Sequence, residues 1–355
     1  MSIRKELFGK TSKGEDVFIF TLENANGTIA KISTLGAVLV SLFTKDREGK
    51  FCDIVLGYDE VEQYEKNKPG FGATIGRNAN RIRNASFSLN GKQYVLEKND
   101  GNNNLHSGFS GYQHRIWEAK EKETTLGDSI EFCYHSLDKD QGFPGNLDVS
   151  VSYTLTEDDR LILHYKGTAD EDTVLNMTNH SYFNLAGHDS GDVLKQKVTI
   201  YADYFTASDK EFIPTGEILS VKGTPMDFNI SKEIGMDIES NYEAIVLGKG
   251  YDHNWILKKE ENEKICLAAK MEEEVSGRFL KVYTDLPGMQ FYTANFLDGT
   301  ERGKGGCYYQ KRSGACFESQ YYPDSVNKKE FPSVILKAGE EYDTTTIFAF
   351  GVKEE

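Results

Sequence analysis

The sequence predicts an all-β protein, a single large antiparallel β-sandwich with few short helices, occupying residues 1–355 as one domain. Three observations lead there. Apolar and polar residues alternate with period two along much of the chain, Asn-Gly pairs interrupt the alternation, and helical periodicity is scarce.

Taken in order, V-F-I-F-T-L and T-I-A-K-I-S flank Asn26-Gly27 and read as a hairpin. Ala37 to Phe43 is an apolar run of strand length. The best helical segment is D-E-V-E-Q-Y-E-K-N-K-P, Asp59 to Pro69, with Asp59 and Glu62 as a capping pair and Pro69 blocking extension. Phe87 to Leu96 holds two short alternating runs around Asn90-Gly91, a tight hairpin because both turn residues need positive φ. Strand-like runs follow at L-I-L-H-Y, V-T-I-Y-A, D-L-P-G-M-Q-F-Y-T-A-N-F and T-T-T-I-F-A-F. No internal repeat, low-complexity tract or flexible linker marks a domain boundary, which favours one large sandwich.

The composition is that of a globular protein, with 21 Phe and 19 Tyr to fill a core. A formal net charge of −15 repels phosphate backbones and anionic membrane surfaces, so neither nucleic acid nor membrane is expected as a partner. Arg77, Arg81 and Arg83 are a local basic exception, read as loop anchors or as a clasp for one small ligand. The first residues lack an apolar signal core, and no run approaches the roughly 20 apolar residues of a membrane span. Five scattered cysteines without a C-x-x-C pair favour reduced thiols and a cytoplasmic location.

Nucleotide motifs fail on spacing. G-F-G-A-T-I-G (Gly70 to Gly76) is not a dinucleotide fingerprint, and there is no G-x-x-x-x-G-K-[ST] phosphate loop. No H-E-x-x-H or other local metal-ligand pair occurs, so neither cofactor nor metal is expected. What remains is a series of polar residues set in strand or loop segments: N-A-N-R-I (Asn78 to Ile82), N-L-H-S-G (Asn104 to Gly108), T-N-H-S-Y-F-N-L (Thr178 to Leu185), Y-D-H-N-W (Tyr251 to Trp255), Q-F-Y-T-A-N-F (Gln290 to Phe296) and C-F-E-S-Q-Y-Y-P-D (Cys316 to Asp324). In extended chain His180 shares a face with Tyr182 and Asn184, opposite Phe183 and Leu185; Glu318 and Gln320 likewise oppose Phe317 and Tyr321. Acids, amides, His and Arg beside aromatic rings suit a sugar, whose hydroxyls need paired donors and acceptors and whose C–H faces stack on rings. His135, His164 and His188 lack such surroundings and read as structural.

In their order, G-R-N-A-N-R-I, L-H-S-G, N-H-S-Y-F-N-L-A-G-H, G-Y-D-H-N-W, Q-F-Y-T-A-N-F and F-E-S-Q-Y-Y-P-D resemble the motifs of the aldose 1-epimerases, the galactose mutarotases. The resemblance runs from the strands before Gly72 to the terminal F-A-F-G-V. One departure is Ser107, where the family more often has glycine. The resemblance implies a supersandwich-like fold with a carbohydrate cleft on one sheet, and cofactor-free interconversion of the α and β anomers of a free hexose. By motif it implies Glu318 as general base and His180 as general acid, with Asn80, Arg81, His106, Asp252 and Gln290 binding the sugar.

The chemistry is consistent with those residue types. Opening a hemiacetal requires a proton to leave the C1 hydroxyl while another reaches the ring oxygen. Burial is expected to raise the Glu318 pKa, and a nearby carboxylate to favour a protonated His180. Three other readings use the same residues: a glycoside hydrolase pairing Asp252 with Glu318, a sugar-binding protein without turnover, and a hexose-phosphate epimerase clamping its anion with Arg77, Arg81 and Arg83.

Overall fold

The structure, a computed structural model, describes residues 2–259, 263–300 and 302–353. Its strands are joined by antiparallel ladders into three main sheets. The largest has nine strands in the order Glu118–Thr124, Gly127–Ser136, Leu147–Thr156, Arg160–Ala169, Glu341–Val352, Arg278–Thr284, Cys266–Glu272, Lys197–Ile200 and Lys232–Glu233. A six-stranded sheet runs Tyr182–Phe183, Ala315–Gln320, Gly288–Tyr292, Asp252–Leu257, Ala202–Ser208 and Pro214–Ser220. The first five strands, Ser2–Lys10 to Phe51–Asp53, form the third sheet.

One continuous apolar core joins the three. Leu163, Tyr165, Leu280, Val282 and Phe348 of the nine-stranded sheet bury against Phe183, Phe205, Trp255, Phe291 and Phe317 of the six-stranded one, with Phe20 and Leu22 entering from the third. Phe183 and Phe348 touch with ring centroids 5.0 Å apart. Each such fully buried side chain contributes about 1.5–3 kcal/mol, so the pairing face of every strand is fixed by which side carries the large residues.

The Asn90-Gly91 hairpin forms as the sequence predicts: Leu89 pairs with Lys92, and the two turn residues have φ of 52° and 75°. Asn26-Gly27 behaves differently. Glu23 pairs with Ile29, leaving a wider loop in which Oδ1 of Asn24 accepts from the backbone N–H of Asn26 (3.1 Å) and of Thr28 (3.0 Å). The amide of Asn24, rather than an Asn-Gly turn, organises this connection.

The helix expected after Asp59 is short, Val61–Lys66, and its N-cap is Glu60 without a side-chain hydrogen bond. Asp59 is drawn elsewhere, accepting from the backbone N–H of Gly305 at 2.8 Å, so the predicted capping pair does not form. A second short helix, Glu243–Gly248, carried no clear sequence signal.

V-T-I-Y-A divides between sheets. Lys197–Ile200 belongs to the nine-stranded sheet and Ala202–Ser208 to the six-stranded one. At the corner, Tyr201 donates its N–H to the carbonyl of Ala268 (2.9 Å), while its own carbonyl accepts from Lys258 N–H (3.0 Å).

Candidate active site

Strand alternation builds the floor of the site. On the six-stranded sheet Gln290 stands opposite Glu318, Asp252 opposite Tyr292, and Cys316 opposite both Tyr292 and Tyr182. These residues occupy one face. Their neighbours in sequence, His253, Phe291, Phe317 and Phe183, turn to the other face, where the Phe291 and Phe317 rings stack at 5.2 Å. Period-two geometry thus places carboxylates and amides on one side and apolar rings on the other.

His180 arrives from a separate short strand, Thr178–His180, paired with Ala73–Ile75. Gly72 anchors it, donating its N–H to the His180 carbonyl at 3.0 Å. This glycine has φ of 66°, and a Cβ there would lie 2.1 Å from the Leu39 carbonyl oxygen, so no other residue fits. The result is a contact across two ladders: Nε2 of His180 lies 3.6 Å from Oε1 of Glu318. Both residues are buried, with 7% and 2% exposure.

A loop completes the constellation. Asn80 takes a positive φ of 62°, and its Oδ1 accepts from the Arg81 N–H at 2.8 Å. The Asn80 N–H donates to Nδ1 of His106 (3.1 Å), and the His106 N–H donates to the Asn80 carbonyl (3.1 Å). The ring of His106 meets that of His180 edge-on at 5.3 Å. Arg81 is bound to Asp100 at 2.7 Å and lies over the Phe212 ring at 4.7 Å. Gln290 donates to Asp252 at 2.7 Å.

The structure therefore brings His180 beside both Glu318 and His106, links Asn80 to His106, and ties Gln290 to Asp252. Asn184, expected beside His180, instead turns away and donates to the carbonyls of Gly191 and Ser313. The chain leaves the His180 strand at Ser181 before the next ladder begins at Tyr182, so strict alternation is lost. Four further residues join the site. Tyr292 packs near His180 (6.1 Å), Phe296 near Tyr292 (6.2 Å) and Phe212 near Phe296 (6.0 Å), and Cys316 Sγ approaches His180 Nδ1 at 3.7 Å. With Arg81 and Asn80, the aromatic contacts close into a circuit back to His106. Alternation from Gln290 and Glu318 would have found Tyr292 and Cys316; nothing in the sequence marked Phe212.

The basic cluster does three separate jobs. Arg77 is fully buried, donating to the carbonyls of Ser136, Leu137, Pro144 and Gly145. Arg83 pairs with Asp209 at 2.6 Å. Neither is available as an anion clamp.

Burial dominates the electrostatics. It pushes the Glu318 carboxyl well above its usual range, with the charge of Asp252 adding to the rise and Arg81 opposing it. Oε2 of Glu318 is buried without a hydrogen-bond partner among the described residues, which further disfavours the anion. Asp252 is raised as well, by burial first, with Arg81 and the Gln290 hydrogen bond opposing. His180 is lowered to about 4 by loss of solvent. The expected protonated imidazole is thus overturned for the free site, because desolvation outweighs the backbone hydrogen bond of the ring, which opposes it. His106 also falls well below its ordinary value, through burial and the proximity of His180 and Arg81.

His106, His180 and Glu318 offer three donor atoms within 4.8 Å of one another, a set of the kind that holds a transition metal. The His106 tautomer argues against that use. Because Nδ1 accepts from the Asn80 N–H, the neutral ring carries its proton on Nε2 and points a donor into the site. A hydroxyl oxygen fits that donor; a cation does not.

Comparison with known proteins agrees with this geometry. The family model described as aldose 1-epimerase matches residues 19–349. The chain is 43% identical over 353 residues to a galactose mutarotase from Bos taurus, covering 99% of both chains. It is 36% identical over 340 residues to an aldose 1-epimerase from Escherichia coli (strain K12), covering 95% of this chain and 96% of that one. Among solved structures, the GalM/aldose epimerase homologue from C. elegans superposes with a TM-score of 0.87 at 30% identity, covering 95% of this chain and 99% of the other. On the fold, the matched residues and these relatives, the chain belongs to the aldose 1-epimerase family.

Proposed function

We propose that the protein is an aldose 1-epimerase, a mutarotase interconverting the α and β anomers of free hexoses such as galactose and glucose, with Glu318 and His180 as its proton-transfer pair. The observation that carries the reading is the 3.6 Å approach of His180 Nε2 to the buried Glu318 carboxylate. In opening, Glu318 takes the proton of the C1 hydroxyl, that oxygen's electron pair forms the carbonyl, the C1–O5 bond breaks, and His180 delivers a proton to O5. Rotation about C1–C2 presents the other carbonyl face. Closure then runs the transfers backwards, with His180 accepting the O5 proton and Glu318 returning one to the carbonyl oxygen.

One proton therefore shuttles within the pair and none is lost. The arrangement favoured by burial, with Glu318 protonated and His180 neutral, is the one closure uses. Opening uses the charged form of the same one-proton pair, whose partners attract at this separation by roughly 5 kcal/mol for an effective dielectric near 20. Nothing is oxidised or reduced overall, so the chemistry calls for no cofactor and no metal.

The sugar is held by hydrogen bonds with Asn80, Arg81, His106, Asp252 and Gln290. His106 donates through Nε2, and Arg81 is kept in place by Asp100 and the Phe212 ring. A hexose phosphate is disfavoured as substrate because Arg77 and Arg83 are committed to carbonyls and to Asp209. The partner is a small monosaccharide. Among the described residues no helix is long and apolar enough to cross a membrane. Five free thiols suit the reducing cytoplasm, and a core spanning Phe20 to Phe350 suits one domain.

Polarimetry on freshly dissolved α-D-galactose and α-D-glucose tests the proposal. The rotation is expected to relax faster with protein than in buffer alone; equal rates would overturn it.

A further inference from the structure

The imidazole of His180 is boxed in by rings. Tyr182 (5.1 Å), His106 (5.3 Å) and Tyr292 (6.1 Å) surround it, and Gly70 passes so close that a Cβ there would lie 3.7 Å from the ring. These walls fix the plane of the ring. They do not fix which nitrogen faces Glu318, because a half-turn about Cβ–Cγ leaves the ring's outline nearly unchanged.

That choice falls to polar contacts. Nε2 points to Glu318, and Nδ1 lies 3.7 Å from Sγ of Cys316, two residues before Glu318 on the same strand and the same face, while the backbone of His180 itself offers the ring one further hydrogen bond. Cys316 is fully buried, opposite Tyr182 and Tyr292 in the ladders. We propose that Cys316 is a positioning residue for the reaction: its sulfur receives the Nδ1 proton of His180 and so keeps Nε2 as the working nitrogen. The inference rests on the acid role given to His180 above.

The contact suits both protonation states. Imidazolium carries a proton on each nitrogen, and the neutral ring that must accept from O5 needs its lone pair on Nε2 and its proton on Nδ1. An Nδ1–H directed at sulfur satisfies both, so Nε2 gains and loses its proton without a ring flip. Sulfur is a weak acceptor. It orients the ring without making the imidazole much more basic, as a carboxylate partner would, and an acid catalyst benefits from that difference. Burial and the charges of Glu318 and Asp252 push the thiol itself well above its ordinary range, so it is no nucleophile.

Shape-matched variants test the idea, since a role in packing alone and a role through Nδ1 give opposite results. Cys316→Val and Cys316→Thr differ by a methyl against a hydroxyl, as do Cys316→Ala and Cys316→Ser by a hydrogen. Both apolar variants are expected to lose kcat roughly ten- to a hundredfold, the size seen when outer partners of metal-bound histidines are removed, with KM within about twofold. Thr and Ser should restore most of kcat, because a hydroxyl can accept the same proton. A Val variant as fast as the native enzyme, or hydroxyl variants as slow as their apolar partners, would overturn the proposal. If the bulkier pair fails to fold, the Ala and Ser pair decides. His180→Asn, measured alongside, separates the two readings: native activity there removes the acid role itself, whereas an inactive Asn variant beside a fully active Val variant removes only the role of Cys316.

Discussion

Nε2 of His180 and Oε1 of Glu318 stand 3.6 Å apart although the two residues belong to different sheets, one paired with Ala73 and the other with Gln290. A carboxyl and an imidazole this close, both stripped of solvent, form one titrating unit rather than two. The behaviour of that unit governs the first three predictions.

On the proposed mechanism, removing either member breaks the shuttle. Glu318→Gln leaves a side chain of the same shape that cannot accept the C1 hydroxyl proton, and His180→Asn leaves none to protonate O5. Each is expected to lower kcat by about 10²–10⁴-fold, the usual worth of a general acid or base. Circular dichroism should stay native, since neither side chain belongs to the apolar core. A variant retaining near-native turnover would remove that residue from the mechanism.

The pH profile should report the pair. In the proposed mechanism the active form carries one proton. A second is gained only as pH falls toward about 4, the depressed value of His180, and the last is lost only above the raised value of Glu318. Around the pair, His106 stays neutral, Cys316, Tyr182 and Tyr292 are pushed up by burial, and Asp252 is raised, by burial first, with Arg81 opposing. After subtraction of the buffer-catalysed rate, kcat/KM is expected to be flat through mildly acidic pH and to fall on the alkaline side. An acid limb near 6.5, the ordinary histidine value, would contradict this.

Much of this was legible in the sequence, for a physical reason. Period-two alternation is local, so the opposition of Glu318 to Phe317 and of His180 to Phe183 could be read from neighbours alone. The Asn90-Gly91 turn was legible because two consecutive positive φ angles admit few residue types. The errors arose where distant groups competed. Asp59 bonds to the backbone of Gly305 instead of capping its helix, and Asn184 holds loops together through Gly191 and Ser313. Phe212 stayed hidden for the same reason, since only the folded chain brings it over Arg81. The sign of the His180 shift also required the fold, because depth of burial decides between desolvation and charge attraction.

Glu318 should weigh against stability in a pH-dependent way. Its folded pKa is raised, so between the unfolded value near 4.5 and the folded value the native state binds more protons than the unfolded chain. Stability from this group is therefore present at low pH and lost as pH rises through that window, by about 1.4 kcal/mol for each unit of separation. Glu318→Gln removes the loss. Its melting temperature relative to the native protein is expected to improve progressively from pH 5 to pH 8. A constant difference over that range would show that the carboxyl is not perturbed.

Ser107 tests how the His106 loop holds its shape where the family more often has glycine. The residue is fully buried with φ of 68°, a left-handed conformation that costs a residue with a Cβ about 1–2 kcal/mol. Its hydroxyl offsets that cost by accepting from the Asn78 N–H at 2.8 Å and donating to the Asn78 carbonyl at 3.3 Å. Ser107→Ala keeps the strain and strands the Asn78 N–H, so it should destabilise by about 1–3 kcal/mol. Ser107→Gly strands the same group but relieves the strain, and is expected to cost less. Because His106 is itself left-handed (φ of 51°) and is bonded to another left-handed residue, Asn80, at both backbone and ring, loosening the loop should raise KM more than it lowers kcat. Urea denaturation ranks the three proteins, and the order native, Gly, Ala is expected. Ala as stable as the native protein would mean that the hydroxyl does not hold the loop.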